Sequence, residues 1–532
     1  MPSTSISYSQ TGYFSKTMSD YLKQDSSLES FYGKFPTLKG IKQQLEEKQK
    51  NFSKNGRSVL VSQLEKQYQD FVITQATQDN INALSKSSTF TVTTGHQLNL
   101  FTGPMYYIYK ILSVINLTEQ LTKKYPENSF VPVFWMATED HDFQEINGFN
   151  FKGNKIKWDT NQSGPVGRFS TKVLQELVTV LKTEFGQTTN GRYLLDLFQK
   201  AYTQNDTLAQ ATRFITNALF GSYGIVVLDG DDRRLKKQFI SYVEAELFAK
   251  KGHKEISNTT QRLVSLGYPQ QVHPREINLF YIKDELRERI IEKDGMFLIN
   301  NTSMVFSKAQ MQKQLSNYPE RFSPNALLRP LYQEVVLPNL CYVGGGGELA
   351  YWFQLKDYFE SVGVAFPVLL LRNSAILANI KLESRLKKLD VSVQDIFKKD
   401  TALSSWFVNK VSNISIDFSS QQRHLEKQFE HLYTIAGQTD ASFLGAVAAQ
   451  QKKQTNGLLH LEKRLLNAQK RKHADQLSRL IRLRSEIFPQ GGLQERITNF
   501  SEFYLEYGTS LLPTIKENLK PLEGKFTFIY LP

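Results

Sequence analysis

The alternation of apolar and polar residues along the chain predicts an α/β protein built on parallel strands. Residues 14–88 contain polar-rich helical segments, and Thr89–Thr94 then alternates apolar and polar side chains as a strand does. Residues 105–125 carry a broad apolar face at helical spacing, and Phe130–Met136 is an almost wholly apolar strand. A strand, a helix and a second strand in this order are typical of a parallel sheet.

Two further strands of the same style are predicted at Gly224–Leu228 and Pro367–Leu371. These strands end in charged or glycine-containing turns, which indicates a doubly wound parallel sheet that binds ligands at the carboxyl ends of its strands. Segments 145–220 and 235–340 are too long for simple crossovers. We therefore expect inserted connecting subdomains there, including a hairpin around Ile277–Ile282.

The sequence changes character after Leu377, where glycine becomes scarce and apolar residues recur at helical intervals. We predict two long helices joined near Ile435–Asp440 as an antiparallel α-helical coiled coil. The predicted domains are a core with inserts at 1–377, a coiled-coil arm at 378–487 and a C-terminal segment at 488–532 that packs back on the core. The apolar positions that define the arm are Leu458, Leu461, Leu465, Ala468, Leu477, Leu480, Leu483 and Ile487.

Composition limits the classes of protein that fit. At 532 residues the chain is too long for one hydrophobic core, and 40% apolar residues suit a folded protein. The single cysteine, Cys341, excludes a disulfide framework and a multi-cysteine zinc site, and it fits a reducing compartment. No stretch approaches the roughly 18 uninterrupted apolar residues of a transmembrane helix. We therefore expect a cytoplasmic protein without a membrane partner.

The net charge of +13 is partly local. Between Gln451 and Arg496 eleven basic residues stand against four acidic ones. A basic face of this kind is more often a solvated helix or a site for an anionic metabolite than a surface for nucleic acid. Nucleic acid is therefore not the expected partner.

A turn with glycines and polar side chains follows the first strand. It offers Thr102 as a helix N-cap, with Pro104 near the first helical position. Glycines let the backbone approach a ligand, and a helix start favours an anion such as phosphate or carboxylate. The alternative is an ordinary strand-to-helix loop. The candidate residues here are Gly95, His96, Gln97, Thr102 and Gly103.

The second strand is followed by the densest cluster of titratable residues near any strand end, Glu139–Asp142. In a parallel sheet this strand end lies beside the turn that contains His96, so two histidines and three carboxylates can converge. They can bind an ammonium group, supply a general base or hold a metal. Neither segment has the H-x-x-x-H spacing of a helical zinc site, so no metal is predicted. The alternative is a solvated loop that caps the next helix.

Four successive glycines at 344–347 precede Glu348 on a predicted helix. Such a run is costly to order, so it is either a loop against a bound ligand or a flexible linker. It lacks the ending of a Walker loop. Cys341, just before it, is interpreted as a packed residue rather than a nucleophile. Upstream, Arg329 can clamp a carboxylate or phosphate, and a structural salt bridge is an equally open reading.

Five segments, in this order and spacing, resemble the BshC family of bacillithiol biosynthesis: TGHQLNLFTGPMYYIYK, FWMATEDHDFQEIN, SPNALLRPLYQE, GGGGELAYW and FPQGGLQER. The resemblance spans nearly the whole chain, and EDHD followed by EIN is its most specific element. It implies a Rossmann-like core with connecting inserts, similar in outline to class I aminoacyl-tRNA synthetases. It also implies a C-terminal coiled coil that forms a homodimer.

The activity implied by the resemblance is an amide ligation in the last step of the pathway. It joins the carboxyl of cysteine to the amine of glucosaminyl-malate, with ATP or ADP as the implied cofactor and magnesium left open. The implied catalytic residues are Asp140, His141, Asp142 and His96. The implied substrate-binding residues are Gly95, Gln97, Thr102, Gly103, Asn147, Asn325, Arg329, Glu334, Gly347, Glu348 and Tyr351. The implied nucleotide-binding residues are Arg372, Asn373, Ser374, Gln490, Gly491, Gly492, Gln494 and Arg496.

In the mechanism that we expect, Asp140 and Asp142 bind ammonium groups and His141 is the general base on the attacking amine. The helix start at Thr102–Pro104 and the guanidinium of Arg329 hold anionic groups of substrate or nucleotide.

The chain also departs from the family pattern. The family often has a second glutamine at the position of His96, a Gly-Pro-Gly-like loop in place of the four glycines, and a proline at the position of Leu371. No Lys-Met-Ser-Lys-Ser or His-x-Gly-His segment is present, so synthetase-type adenylation is not indicated by motifs. Two other classes stay open: an RNA-binding or nucleotidyl-transferring protein on the same core, and a non-catalytic coiled-coil scaffold.

Overall fold

The computed structural model describes residues 3–532. Its strands are β1 Ser3–Ser7, β2 Thr89–His96, β3 Ser129–Met136, β4 Gly148–Phe151, β5 Asn154–Lys157, β6 Val226–Asp229, β7 Leu279–Lys283, β8 Leu286–Lys293, β9 Met296–Ile299, β10 Val305–Ser307, β11 Phe322–Pro324, β12 Asn339–Gly344, β13 Val368–Leu371, β14 Ser374–Asn379 and β15 Lys525–Leu531.

The α-helices alternate with these strands up to β14 and dominate the chain after it. They are α1 Tyr8–Thr11, α2 Lys16–Leu22, α3 Leu38–Asn51, α4 Lys54–Tyr68, α5 Gln75–Ala83, α6 Tyr106–Lys124, α7 Phe143–Ile146, α8 Gln175–Phe185, α9 Thr189–Thr203, α10 Leu208–Phe220, α11 Arg233–Lys237, α12 Ile240–Ala249, α13 Lys251–Ser265, α14 Lys308–Asn317, α15 Arg329–Val336, α16 Gly346–Trp352, α17 Lys356–Ser361, α18 Lys381–Lys387, α19 Asp400–Val411, α20 Ser419–Ala436, α21 Ala441–Lys472, α22 Ala474–Ile487, α23 Gln494–Ile497, α24 Phe500–Tyr507 and α25 Leu511–Asn518.

The central sheet has five parallel strands in the order β13–β12–β2–β3–β6. The four predicted strands are confirmed as β2, β3, β6 and β13. The fifth, β12, lies between β2 and β13 and was not predicted, because the run of glycines that begins at its last residue indicates a loop. Apolar side chains from α3, α6 and the strands form the core beneath the sheet, among them Phe90, Val92, Val114 and Leu121.

The loop between β2 and α6 differs from its prediction. Thr102 is not the N-cap of α6: the helix begins at Tyr106, and Met105 occupies the cap position without a side-chain hydrogen bond. Thr102 instead has a positive φ of 69°, and the two residues beside it have positive φ angles as well. Such strain persists only where surrounding contacts fix it. Here Asn499 Nδ2 donates to the Phe101 and Gly103 carbonyl oxygens at 2.8 and 2.6 Å.

The second insert is a five-stranded sheet in the order β10–β9–β8–β7–β11. Its β7–β8 hairpin confirms the hairpin predicted around Ile277–Ile282, displaced by two residues toward the C-terminus. The short loop between these strands, at Asp284 and Glu285, sets the register that pairs Lys283 with Leu286. This pairing places Arg287 and Arg289 on one face of β8, because side chains two residues apart on a strand share a face.

The chain divides into two compact units. The first contains residues up to 9, 13–376 and 494–529, and the second contains residues 10–12, 377–493 and 530–532. The central sheet, the inserts and helices α23–α25 therefore belong to the first unit.

The second unit contains the predicted coiled coil. Helices α20 and α21 run antiparallel, since Phe418 lies opposite Glu462 while Tyr433 lies opposite Gln451 at the other end. Phe429, Ala436 and Val447 form their buried seam. Leu461, one of the apolar positions that define the arm, is 51% exposed.

Two further structural facts bear on function. Among the described residues, none of the helices combines the length and apolarity needed to cross a bilayer. Within the same part of the chain, no cluster of three His, Cys, Asp or Glu side chains has an arrangement that could hold a metal ion.

Candidate functional site

A cleft lies at the carboxyl ends of β2, β3 and β12 in the first unit. It has a large lobe of about 450 Å³ and a small lobe of about 220 Å³. Trp135, Ala137, Arg329 and Tyr351 line both lobes, so the two spaces adjoin. The cleft therefore occupies the edge of a parallel sheet where ligands bind in open α/β folds.

The large lobe is lined by the end of β3, the loop after it and the second insert. Arginine side chains from three segments contribute its basic wall: Arg275, Arg287, Arg289 and Arg329. The other lining residues are Trp135, Met136, Ala137, Thr138, Glu139, Asp140, His141, Val272, His273, Ile277, Leu279, Phe280, Pro324, Asn325, Ala326 and Tyr351. With four guanidinium groups against two carboxylates, the lobe suits an anionic ligand.

The small lobe lies against β2, α6 and α16. Aromatic rings and a few polar groups surround it, which is the usual composition of a small-molecule site. Its lining residues are Gly95, His96, Gln97, Tyr106, Lys110, Trp135, Ala137, Arg329, Tyr342, Glu348 and Tyr351.

His141 and Arg287 meet in the large lobe. The Arg287 Nη1 atom lies 2.6 Å from His141 Nδ1. A guanidinium can only donate, so the imidazole accepts this bond with the lone pair of Nδ1 and carries its proton on Nε2. Arg287 also lies over the Phe280 ring at 3.9 Å, which fixes the guanidinium plane. The lone pair that a general base at His141 needs is therefore occupied by Arg287.

Asp140 and Gln97 join the ends of β2 and β3. Gln97 Nε2 donates to Asp140 Oδ2 at 2.9 Å and to Glu145 Oε2 at 2.7 Å. Burial raises the pKa of Asp140, but hydrogen bonds from Gln97 and from the His141 backbone N–H, together with the Arg287 charge, outweigh it and hold that pKa well below its usual range. Asp140 is therefore a carboxylate at neutral pH, suited to bind a cation and unsuited to accept a proton.

His96 is buried, with 6% of its surface exposed. Its Nδ1 atom lies 2.9 Å from the Gln97 carbonyl oxygen, so Nδ1 carries the ring proton and Nε2 carries the lone pair. Burial first, and the Lys110 charge second, lower the pKa of His96 to about 3. The ring stacks on Tyr106 with centroids 5.0 Å apart. His96 is thus a neutral imidazole at physiological pH.

Lys110 and Glu348 form an ion pair along the small lobe. Lys110 Nζ also donates to the Gly95 carbonyl oxygen at 2.7 Å, and Tyr342 Oη donates to Glu348 Oε2 at 2.7 Å. Burial opposes ionisation of Glu348, but Lys110 outweighs it and lowers the pKa of that carboxyl. Lys110, which the sequence analysis did not select, therefore fixes the backbone of the β2 turn.

The structure brings nine of the sequence-selected residues to the cleft. They are Gly95, His96, Gln97, Asp140, His141, Asn325, Arg329, Glu348 and Tyr351. Each lies at a strand end or on the first turns of a helix that follows one. The resemblance grouped these residues across more than 250 positions of sequence.

Six other selected residues line neither lobe. Asp142 is exposed at the start of α7, and Gly347 is exposed on the first turn of α16. Glu334 is buried with Lys48 at 3.3 Å and also accepts a hydrogen bond from Asn339 at the start of β12. The remaining three, Thr102, Gly103 and Asn147, are held in loops packed on protein.

The residues selected for a nucleotide also lie outside both lobes. Arg372 binds Glu495 through both terminal nitrogens, at 3.0 and 2.7 Å, and both side chains are buried. Asn373 Oδ1 accepts from Ser113, and Ser374 Oγ accepts from Arg372. Gln494 is buried and Arg496 is exposed. In the second unit, Gln490 and Gly491 have positive φ angles and Gly492 ends their turn.

Sequence reasoning missed the arginines of the second insert. Arg287 and Arg289 stand in LRERIIEK, which reads as an exposed edge strand. The signal available was their period-two spacing after a hairpin, which places both on one face. Only the fold shows that this face turns toward His141, a residue 146 positions earlier.

The parallel sheet with its polar cleft and the separate helical unit define a Rossmann-like protein with a coiled-coil domain. Two family models match the chain: "Bacillithiol biosynthesis BshC, N-terminal Rossmann-like domain" at residues 1–373 and "Bacillithiol biosynthesis BshC, C-terminal coiled-coil domain" at residues 375–531. The chain belongs to the BshC family of bacillithiol biosynthesis.

Curated relatives support this membership over the full length. A protein of Flavobacterium johnsoniae is 51% identical and covers 99% of this chain and 100% of its own. Proteins of Christiangramia forsetii and Cytophaga hutchinsonii are 50% and 38% identical, covering 99% and 96% of this chain and 99% and 95% of their own. All three carry the name "Putative cysteine ligase BshC".

Proposed function

We propose that this protein is a ligase that joins the carboxyl of cysteine to the amine of glucosaminyl-malate and so forms the amide bond of bacillithiol. Membership of the bacillithiol biosynthesis family and the name of its relatives support the reaction class. The observation that carries the proposal is the arginine wall of the large lobe. Glucosaminyl-malate carries two carboxylates, and planar guanidinium groups bind carboxylates in a bidentate manner.

In this proposal Arg287 and Arg289 hold the malyl carboxylates. A carboxylate that binds Arg287 draws the guanidinium away from His141 Nδ1, because an anion is a stronger acceptor than a neutral imidazole. The freed lone pair then takes the proton of the attacking ammonium group, and the amine attacks the activated carbonyl carbon of cysteine. His141 thus becomes a base only when the dicarboxylate is bound. Asp140 binds the ammonium group before it is deprotonated.

An amide does not form readily from a free carboxylate in water, so the cysteine carboxyl needs activation. We expect ATP to supply it in one of two ways. An acyl-adenylate would form with release of pyrophosphate and lose AMP to the attacking amine, whereas an acyl-phosphate would form with release of ADP and lose phosphate. The residues that the resemblance implies for the nucleotide do not fit this task as they stand, because both terminal nitrogens of Arg372 bind Glu495. No step is therefore assigned to that segment.

We also infer a homodimer formed through the second unit. Its coiled-coil helices expose large apolar side chains that their own seam does not cover. Large apolar side chains left exposed along a helical arm can be covered by a partner. These side chains are Leu432, Ile435, Phe443, Leu444, Leu459 and Leu461.

Mass spectrometry tests the proposed reaction. Purified protein is incubated with glucosaminyl-malate, cysteine, ATP and magnesium, and the mixture is analysed for bacillithiol, AMP and ADP. Product formed together with AMP supports an acyl-adenylate, and product formed together with ADP supports an acyl-phosphate. Lack of product combined with lack of glucosaminyl-malate binding by calorimetry contradicts the proposal. Binding without product would show that another donor or a partner protein supplies the activation.

A further inference from the structure

The small lobe contains a buried acceptor that no protein group satisfies. His96 Nε2 is shielded from solvent and has no hydrogen-bond partner. The opposite ring nitrogen is fixed as a donor by the Gln97 carbonyl oxygen at 2.9 Å, so Nε2 presents a lone pair. A buried polar atom without a partner costs free energy, and such an atom in a cavity wall points to a ligand that completes it.

A buried donor without a partner lies on the same lobe. Arg329 Nη1 donates to Gln333 Oε1 at 3.0 Å, whereas Nη2 has no partner. Arg329 lines both lobes, so this donor stands at their junction. A guanidinium nitrogen in this setting takes a carboxylate oxygen.

The other charged groups of the lobe already bind protein. Lys110 is bound by Glu348 and by the Gly95 carbonyl oxygen. Glu348 also accepts from Tyr342 and from the Gly345 backbone. Since no free carboxylate remains beside His96, an ammonium group there lacks a counter-charge. A thiol is a weak donor with little desolvation cost, and it suits a neutral imidazole among the Tyr106 and Trp135 rings.

We propose that the small lobe is the cysteine subsite, in which the substrate carboxylate binds Arg329 Nη2 and the substrate thiol donates to His96 Nε2. This inference rests on the proposed function for the identity of the amino acid. It places the cysteine carboxyl carbon at the junction of the lobes, within reach of an amine bound in the large lobe. His96 is then a specificity-determining residue rather than a base.

Calorimetry under reducing conditions, with four probe molecules, separates the two contacts. The probes are L-cysteine, L-alanine without a thiol, 3-mercaptopropionate without an amine, and cysteamine without a carboxylate. We expect His96→Leu to weaken the binding of cysteine and 3-mercaptopropionate by about 3- to 10-fold, the size of one modest hydrogen bond. The affinity for alanine should stay within about twofold of the wild-type value. His96→Gln retains an acceptor and recovers part of the loss. Arg329→Gln weakens every probe except cysteamine.

His253→Leu is the matched control. His253 has a buried ring nitrogen without a partner but lines neither lobe, so this variant should bind all four probes as the wild type does. Thermal unfolding midpoints verify that the variants are folded. Equal weakening of alanine and cysteine by His96→Leu overturns the thiol contact, because the ammonium group is then the donor.

The proposed subsite and the proposed reaction can be contradicted independently of each other. Unchanged cysteine binding in His96→Leu overturns the subsite even if the wild type forms bacillithiol. If the four probes bind as expected but the protein forms no bacillithiol, the subsite is supported and the proposed reaction is contradicted. Cysteine that does not bind the wild type, with or without glucosaminyl-malate, also overturns the subsite.

Discussion

Glu495→Gln tests whether Arg372 is structural or available to a ligand. The wild-type pair is deeply buried, with 5% of the Arg372 side chain and 1% of the Glu495 side chain exposed. Its two hydrogen bonds measure 2.7 and 3.0 Å, and Glu495 Oε2 also accepts from the Ala375 backbone at 3.3 Å. The substitution keeps the shape of the side chain and removes its charge. A buried guanidinium then remains without a counter-ion.

The expected loss follows from the burial of the pair. Breaking a buried ion pair by removing one charge costs about 3–5 kcal/mol, because the remaining charge stays out of water. That loss lowers the ratio of folded to unfolded protein by about a hundredfold or more. We expect the free energy of unfolding of Glu495→Gln to fall by this amount, whatever ligand is present.

Urea unfolding followed by tryptophan fluorescence and far-UV circular dichroism measures the change. Glu486→Gln is the matched control, because Glu486 also binds an arginine through two hydrogen bonds, at 2.9 and 3.1 Å. That pair is exposed, with 45% and 43% of the side chains accessible, so its loss should cost no more than about 1 kcal/mol. Equal effects of the two variants would refute the reasoning and would return Arg372 to the candidates for phosphate binding.

Four further predictions concern the cleft and the arm. Arg287→Gln should lower kcat/KM for glucosaminyl-malate by roughly 30-fold, because a charged contact from a half-buried guanidinium is lost. Arg289→Gln removes the same charge without touching His141 and should leave the pH dependence of kcat unchanged. Identical profiles for both variants would contradict the masking of His141. His96 has a folded pKa of about 3 against an ordinary value of 6.5, so its stabilising effect is present above pH 6.5 and is lost as the pH falls toward 3. Between pH 6.5 and 5 the free energy of unfolding, measured with urea, should therefore fall by about 2 kcal/mol less in His96→Gln than in the wild type. An unchanged pH dependence would show that His96 titrates normally. Burial raises the pKa of the Cys341 thiol, so Ellman's reagent at pH 8 should label it only after unfolding, and rapid labelling of native protein would contradict its burial. Leu461→Lys should convert the dimer to monomer in light scattering without changing the helical circular dichroism, and a persistent dimer would exclude this face of the arm.

The strands of the central sheet can be predicted from the sequence where a short apolar run is followed by a polar turn. Phe130–Met136 and Pro367–Leu371 have this pattern, and the structure confirms both within one residue. The strand Asn339–Gly344 was missed although it is wholly buried. Its asparagine binds Glu334 and two threonines of the neighbouring strand, a role that only the folded sheet reveals. Local pattern thus predicted apolar strands and missed one that buries polar groups.

For a related reason, only some of the residues of the site can be predicted from the sequence. His96 and Asp140 follow strands directly, so the topology of a parallel sheet brings them together. Residue type alone predicts Thr102 as a helix cap, but contacts from Asn499 fix the loop in another conformation. Arg287 reaches the cleft from the second insert, and the spacing of residues along the chain does not show how that insert packs on the sheet. Contacts between distant segments, rather than local propensity, decide these positions.

The bonds from Asn499 to the β2–α6 loop impose an order on synthesis. Asn499 stands 398 residues after Phe101. At about 5–20 residues per second, a ribosome adds the second residue roughly 20–80 s after the first. Strand β1 waits still longer, because its partner is β15 at the opposite end of the chain. The loop beside His96 therefore acquires its final conformation only after Asn499 has been synthesised, long after the five strands of the central sheet.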